Sequence, residues 1–309
     1  MKIIEYPCKI EKSNLRIHVS GFDYINQKKM SEYLIPKDLN DIVLTSQSSI
    51  STEIYKLNPE LNITILSKGS IVASVNPANN ISKIIRNERL FNSLSKYKRR
   101  KLMWTFCKAA CSSKIKILSR LNEERKDDEI KTNIEKMRVL DKKLKELKSR
   151  EEMMGVEGNV AKIFYSSLRK LGEEFSSDFK SRGRYESGIV NSLMNFGHTI
   201  LRNKIKNRLT ANNISSCHSF LHKEDGYNDT LVFDFSEFWL AQVDKIIFYS
   251  INKGIIKLDE IKKDGKLKET ARLKIIELIS SRIENKNIDI KIKEFKGFLK
   301  SKNNFSWCS

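Results

Sequence analysis

The sequence predicts an α+β fold, a small N-terminal β-strand domain followed by a larger all-helical domain, and three observations predict it. All four prolines (Pro7, Pro36, Pro59 and Pro77) lie in the first quarter of the 309 residues. Before Pro77, branched apolar and polar residues alternate with the two-residue period of a strand. After it, apolar residues recur at three- and four-residue steps, the helical period, and no proline interrupts them.

Leu15-Arg16-Ile17-His18-Val19, Ile42-Val43-Leu44 and Ile63-Thr64-Ile65-Leu66 predict strands, because branched side chains suit a pleated, half-buried surface. Lys68-Gly69-Ser70 predicts a hairpin loop, and Ser51 a cap for a short helix through Leu57. The β domain is assigned to residues 1–76 and expected to serve dimerisation, with a linker over 77–88 and the helical, catalytic domain over 89–309. In that domain Leu102, Phe106, Ala109, Ala110, Ile115 and Leu118 mark the buried stripe of a long helix, with Cys107 and Cys111 beside it as core thiols. The charge-dense run Glu123 to Glu152 keeps Ile134, Val139, Leu140, Leu144 and Leu147 on one face and predicts a solvated helix. Further helices are predicted at about 159–172, 189–211, 236–253, 267–283 and 289–300.

Lys and Arg number 58 against 38 Asp and Glu, a net charge of +20 that draws the chain to polyanions, nucleic acid first among them. Hydrophobic residues make up 39%, too many for a chain that stays disordered. Five cysteines without a C-x-x-C pair argue against a disulfide framework or a thiolate zinc site. With no apolar run long enough for a membrane span and Glu5 interrupting the start, the chain is expected to be soluble, cytoplasmic and not exported.

Three segments set polar residues in apolar frames. Glu157 stands between Gly155 and Gly158 at an expected helix start, where small neighbours leave room for a ligand; a carboxylate stabilised by the helix N-terminus is the plainer reading. His222 follows the apolar lead-in Phe220-Leu221. A zinc site of Cys217, His218 and His222 has the wrong spacing and no second cluster. Asp234 and Glu237 are three residues apart and would share a helix face, yet Asp-x-x-Glu is equally a capping box. Together these carboxylates and one imidazole match the oxygen-plus-nitrogen ligand set of a divalent cation, Mn²⁺ or Mg²⁺.

The order of segments resembles the CRISPR-associated integrases of spacer acquisition, the Cas-one family. The likeness rests on Ile35-Pro36 through Ser49-Ile50-Ser51, on Arg100-Lys101-Leu102 with Lys114-Ile115, and above all on Gly155-Val156-Glu157-Gly158-Asn159-Val160-Ala161 with Tyr165. Asn191 to Gly197, Phe220-Leu221-His222 and Phe233-Asp234-Phe235-Ser236-Glu237-Phe238 follow in the family's order. The resemblance spans residues 1 to about 253. It implies Glu157, His222 and Glu237 as metal ligands, Asp234 as a neighbouring or alternative ligand, and a dimer assembled on a small partner, the Cas-two protein. Where the family carries a proline-rich run this chain has Arg182-Gly183-Arg184-Tyr185-Glu186-Ser187-Gly188; His198 replaces a common tyrosine and Trp239 a common arginine. Arg182, Arg184, Lys98, Arg99 and Arg100 are the expected DNA contacts.

The function expected is a metal-dependent DNA endonuclease and integrase of CRISPR adaptation, acting on double-stranded DNA by attack of a 3′-hydroxyl on a phosphodiester. A catalytically inactive DNA-binding scaffold and a transposase-like relative are the alternatives.

Overall fold

The computed structural model describes residues 2–39, 41–59, 61–67, 70–75, 81–172, 179–182, 188–223, 229–257, 267–300 and 305. The chain divides into two units, Met1–Ile84 and Ile85–Ser309.

The first unit carries eight strands among its described residues: β1 (Lys2–Ile4), β2 (Cys8–Ser13), β3 (Arg16–Asp23), β4 (Lys28–Leu34), β5 (Asp41–Leu44), β6 (Ser48–Ile50), β7 (Asn62–Ser67) and β8 (Ser70–Val75). They form two four-stranded sheets, in the orders β1-β5-β7-β8 and β4-β3-β2-β6. In the first, β1, β5 and β7 are parallel and β8 returns antiparallel to β7. All four residues of β5 are buried, as expected of a parallel strand covered on both faces. In the second sheet β3 alternates, Ile17 and Val19 going into the core. Ile4, Ile10, Ile42, Leu44, Ile54, Leu61 and Ile63 complete that core. The helix expected after Ser51 is a 3-10 turn, Thr52–Lys56, with the Ser51 hydroxyl accepting the Glu53 amide. The loop at Lys68-Gly69 lies outside the described residues, although β7 and β8 pair as a hairpin would.

The helices are α1 (Ile81–Asn92), which spans the division between the units, α2 (Lys96–Arg125), α3 (Asp128–Lys143), α4 (Arg150–Leu171), α5 (Ile189–Ala211), α6 (Thr230–Ser236), α7 (Leu240–Asn252), α8 (Glu269–Arg282) and α9 (Asn285–Lys300). The charge-dense run is therefore not one helix. Lys126 adopts a left-handed conformation that ends α2, and Asp127 caps α3 by accepting the Ile130 amide. α4 begins at Arg150, not near 159, because Ser149 and Glu152 form a reciprocal capping box. The helix expected over 236–253 is two, α6 and α7, separated at Glu237 to Trp239. α2 packs on α3, α4 and α7, and α5 on α6, α7, α8 and α9. Among the described residues no helix is long and apolar enough to cross a membrane.

Candidate active site

An aromatic cluster brings the site's elements together. Phe106 on α2 meets Phe220, Phe235, Phe238, Phe295 and Phe305 with ring centroids 5.4 to 6.5 Å apart. Stacked, edge-to-face and tilted contacts of this kind add to the area the rings bury. Phe220 precedes His222 and Phe238 follows Glu237, so the cluster holds the backbone at both positions against α2.

Glu157 lies two turns inside α4, facing α2, rather than at a helix N-terminus. Its carboxylate accepts from the Lys114 ammonium at 2.7 Å, and that ammonium stands 3.9 Å from Glu237 Oε2. The sequence reading missed Lys114 as a member of the site. Its signal was position: it follows Ala110 and precedes Leu118 by one four-residue step each, on the buried stripe, and it is buried where the neighbouring Ile115 is not fully so. Nothing close to the added-Cβ positions of Gly155 and Gly158 fills the space over α4 beside Glu157.

Asp234 is wholly buried and is not an N-cap; it lies within α6 and serves another segment. One carboxylate oxygen accepts from the Ser219 hydroxyl and the Phe220 and Leu221 amides, the other from the His222 amide at 3.0 Å and His222 Nδ1 at 2.7 Å. With its acceptor capacity taken up in this way, Asp234 positions His222. Nδ1 carries the proton given to Asp234, so Nε2 presents a lone pair, 3.9 Å from Glu237 Oε1. Glu237 Oε2 is buried without a hydrogen-bond donor.

Burial would raise the Glu157 carboxyl, but Lys114 and then His222 outweigh it and hold the group below its ordinary range. Glu237 has burial winning over Lys114, with Glu157 adding to the rise, and is pushed up to about 7. Burial alone would depress His222; the bond and charge of Asp234, with Glu237 and Glu157, raise it instead. Among the described residues no three donor side chains enclose an ion as they stand. The donor set nevertheless fits a divalent cation: two carboxylates, an imidazole nitrogen fixed by a carboxylate behind it, and an orphaned buried oxygen.

A second network adjoins the first. Tyr165 on α4 donates to Asp244 at 2.8 Å, Asp244 accepts from His198 Nε2 at 2.7 Å, and Arg182 Nη2 approaches His198 Nδ1 at 3.3 Å and donates to Asn195, while its Nη1 donates to Asn191. Because Arg182 can only donate, Nδ1 accepts and His198 is the neutral tautomer. Burial, the strongest influence, lowers its pKa in agreement. Asp244 went unnoticed in the sequence because it stands alone on an apolar helix.

Arg99 and Arg100 donate to the carbonyls of Phe91 and Leu147, and Lys98 to that of Phe298. Arg184 lies outside the described residues. His218 turns to Glu88 at 2.6 Å and stacks on Phe91, His18 stacks on Tyr33, and Cys107 and Cys111 are buried free thiols.

Fold and site together define a protein with a β-strand unit and a helical unit that carries a partly buried carboxylate–imidazole cluster. The model of CRISPR associated protein Cas1 matches residues 2–281, and the chain belongs to that family. It is 23% identical to CRISPR-associated protein Cas1 3 of Methanobrevibacter ruminantium over 82% of this chain and 80% of that one. It is 28% identical to CRISPR-associated endonuclease Cas1 of Fusobacterium nucleatum over 66% and 61%. Similar folds are a casposase bound to integration product (TM-score 0.79, 18% identity, 99% of this chain and 93% of that one) and a Cas1 protein from Thermotoga maritima (0.76, 15%, 99% and 98%). A Cas6-RT-Cas1–Cas2 complex matches with a TM-score of 0.76 at 16% identity, over 98% of this chain and 35% of that one.

Proposed function

We propose that this protein is a spacer-acquisition integrase and DNA endonuclease whose center is Glu157, His222 and Glu237. The observation that carries the reading is the convergence of these three side chains, from α4, the 219–222 segment and the α6–α7 junction, in a Cas1-family chain. Glu157, His222 and Glu237 would hold a divalent cation, which when bound would supply charge neutralisation at the phosphorus and activation of the attacking oxygen. Asp234 fixes the His222 tautomer so that Nε2 faces the cluster. Lys114 offsets the charge of the paired carboxylates, and its buried ammonium keeps them near each other. The aromatic cluster excludes water from their far side, which strengthens each electrostatic contact.

The substrate is double-stranded DNA, favoured by the +20 net charge. Arg182, whose guanidinium is fixed beside α5, is the first candidate for a phosphate contact, with Arg184 two positions on in sequence; Lys98, Arg99 and Arg100 are further candidates. The working assembly is a homodimer with a Cas2-type partner, in line with the complex that shares its fold.

The test follows covalent joining of a short duplex to a supercoiled plasmid bearing a repeat, in Mn²⁺ and in Mg²⁺, with and without a Cas2-type protein. Glu157→Ala is expected to abolish joining and cutting while retaining DNA affinity. Wild-type protein that binds DNA yet never cuts or joins it would make the chain a scaffold and end the catalytic reading.

A further inference from the structure

Arg182 lines a cavity of about 570 Å³ whose opposite wall is α4. Gly158, the residue after Glu157, is part of that wall, as are Ala161 and Tyr165. Ala161 and Tyr165 follow Glu157 by four and eight residues, which places them about 40° and 80° around the helix from it, and Tyr165 about 12 Å along the axis. The cavity therefore opens along the side of α4 that carries Glu157. Among the described residues no carboxylate lines it.

Arg182 is held there by an oriented set of acceptors. Asn191, Asn195 and His198 succeed one another at four and three residues along α5, so all three face the guanidinium. Asn191 donates through its amide nitrogen to the Ser181 carbonyl at 2.9 Å, which turns its oxygen toward Arg182. All three acceptors are uncharged, and their contacts orient the guanidinium without cancelling its charge. His198 is the one whose sense has to be set, because an imidazole with its proton on Nδ1 would meet Arg182 donor to donor. Asp244 sets it. Wholly buried on α7, it accepts from His198 Nε2 at 2.7 Å and from the Tyr165 hydroxyl at 2.8 Å, and so keeps the proton on Nε2. Burial would raise the Asp244 carboxyl, but His198 and then Tyr165 outweigh it and hold the group below its ordinary range.

Fastening the chain does not call for this arrangement. Phe179 is buried, the Ser181 carbonyl accepts from Asn191, and the Lys180 carbonyl accepts from Arg169 at 3.2 Å, which ties the segment to α5 and α4. A buried carboxylate carries a desolvation penalty that such a tie does not require. A cation ordered in advance by neutral acceptors suits an anionic oxygen of a substrate, since the ordering is complete before the substrate arrives.

We propose that Asp244 and His198 are positioning residues that hold Arg182 against a phosphate of the DNA strand bound along α4, within about four nucleotides of the reacting phosphodiester at about 3.4 Å each. The proposal rests on the DNA-joining reading above and adds the pair of residues through which its first phosphate contact is made.

The experiment measures binding of a short labelled duplex in EDTA across a salt series, in a Glu157→Ala background that does not cut, with the folding of each variant checked by its urea midpoint. Arg182→Ala is expected to reduce the slope of log K against log salt by about 0.9, the share of one phosphate. His198→Phe keeps Arg182 in the chain but removes its acceptor, and is expected to reduce the slope by at least half as much. In the Arg182→Ala background His198→Phe is expected to change nothing further. His198→Gln, whose amide can donate to Asp244 and accept from Arg182, is expected to keep the slope. Where His198→Phe does not fold, Asp244→Asn takes its place: its amide can donate to Nε2 and send the imidazole proton to Nδ1, with the same loss expected and the same dependence on Arg182. An unchanged slope in Arg182→Ala, or a smaller loss in the His198 or Asp244 variant, would overturn the proposal. So would losses that add in the double variant, because a merely structural His198 acts whether or not Arg182 is present. No bond is broken in EDTA, so failure of the joining reading leaves these slopes as expected, whereas failure of the positioning role leaves Glu157-dependent joining intact.

Discussion

Asp234 illustrates how one residue acts through another. Its two oxygens receive five donors from Ser219 to His222, so removing the charge leaves buried amides unpaired and frees the imidazole. Asp234→Ala is expected to cost about 3 kcal/mol of stability, since breaking a buried charged network costs 3–5, read as a fall in the urea midpoint. Glu237 sets a pH dependence. Its folded pKa is above that of the unfolded chain, so its contribution to stability is full below about 4.5 and is lost as pH rises towards 7. His222, also raised, adds a loss in the same direction above 6.5. Glu157 is lowered, and its contribution is lost as pH falls below its ordinary value of 4.5. In EDTA, therefore, unfolding midpoints should fall between about pH 5 and pH 8, and less in Glu237→Gln. Mn²⁺, competing with these protons, should stabilise the protein more at the higher pH; equal stabilisation at both would remove Glu237 and His222 from the ligand set.

At the level of elements, two glycines inside helices have opposite physical roles. A Cβ at Gly197 would lie 2.8 Å from Val243 and 3.0 Å from Ile247, so α5 and α7 approach closely there, and the approach places His198 against Asp244. Gly197→Ala is expected to destabilise by about 1–3 kcal/mol through overpacking. Gly158 meets nothing within 4 Å. Gly158→Ala should instead gain up to about 1 kcal/mol of helix stability, and a loss of joining in this more stable protein would show that the space beside Glu157 is used by substrate. A circular dichroism melt and the joining assay separate the two effects. Helix boundaries were less legible than helices: α5 is read at its observed bounds from its periodicity, while α4 was placed too late because Ser149-x-x-Glu152 sits in a charge-dense run that masks a capping box.

For the molecule as a whole, charge is the dominant long-range property. With +20 spread over two units, DNA affinity is expected to fall at least tenfold between about 50 and 200 mM salt in wild type and Glu157→Ala alike, because phosphate contacts release counterions whether or not the strand is cut. Filter binding across the series checks this, and a salt-insensitive affinity would count against a backbone-reading protein.

Composition and period by themselves determined the α+β order, the strands β3, β5 and β7 and the basic character, because local hydrophobic patterning depends only on which face must be buried. The motif around Glu157 also identified the family, since its order of residues survives where overall identity is low. Only the tertiary structure decided that Lys114 stands between Glu157 and Glu237, that Asp234 serves His222 rather than its own helix, and that Asp244 holds His198. Each of these contacts joins residues brought together by helix packing and the aromatic cluster, and a charge on an apolar stripe does not reveal its partner until the opposing helix is in place.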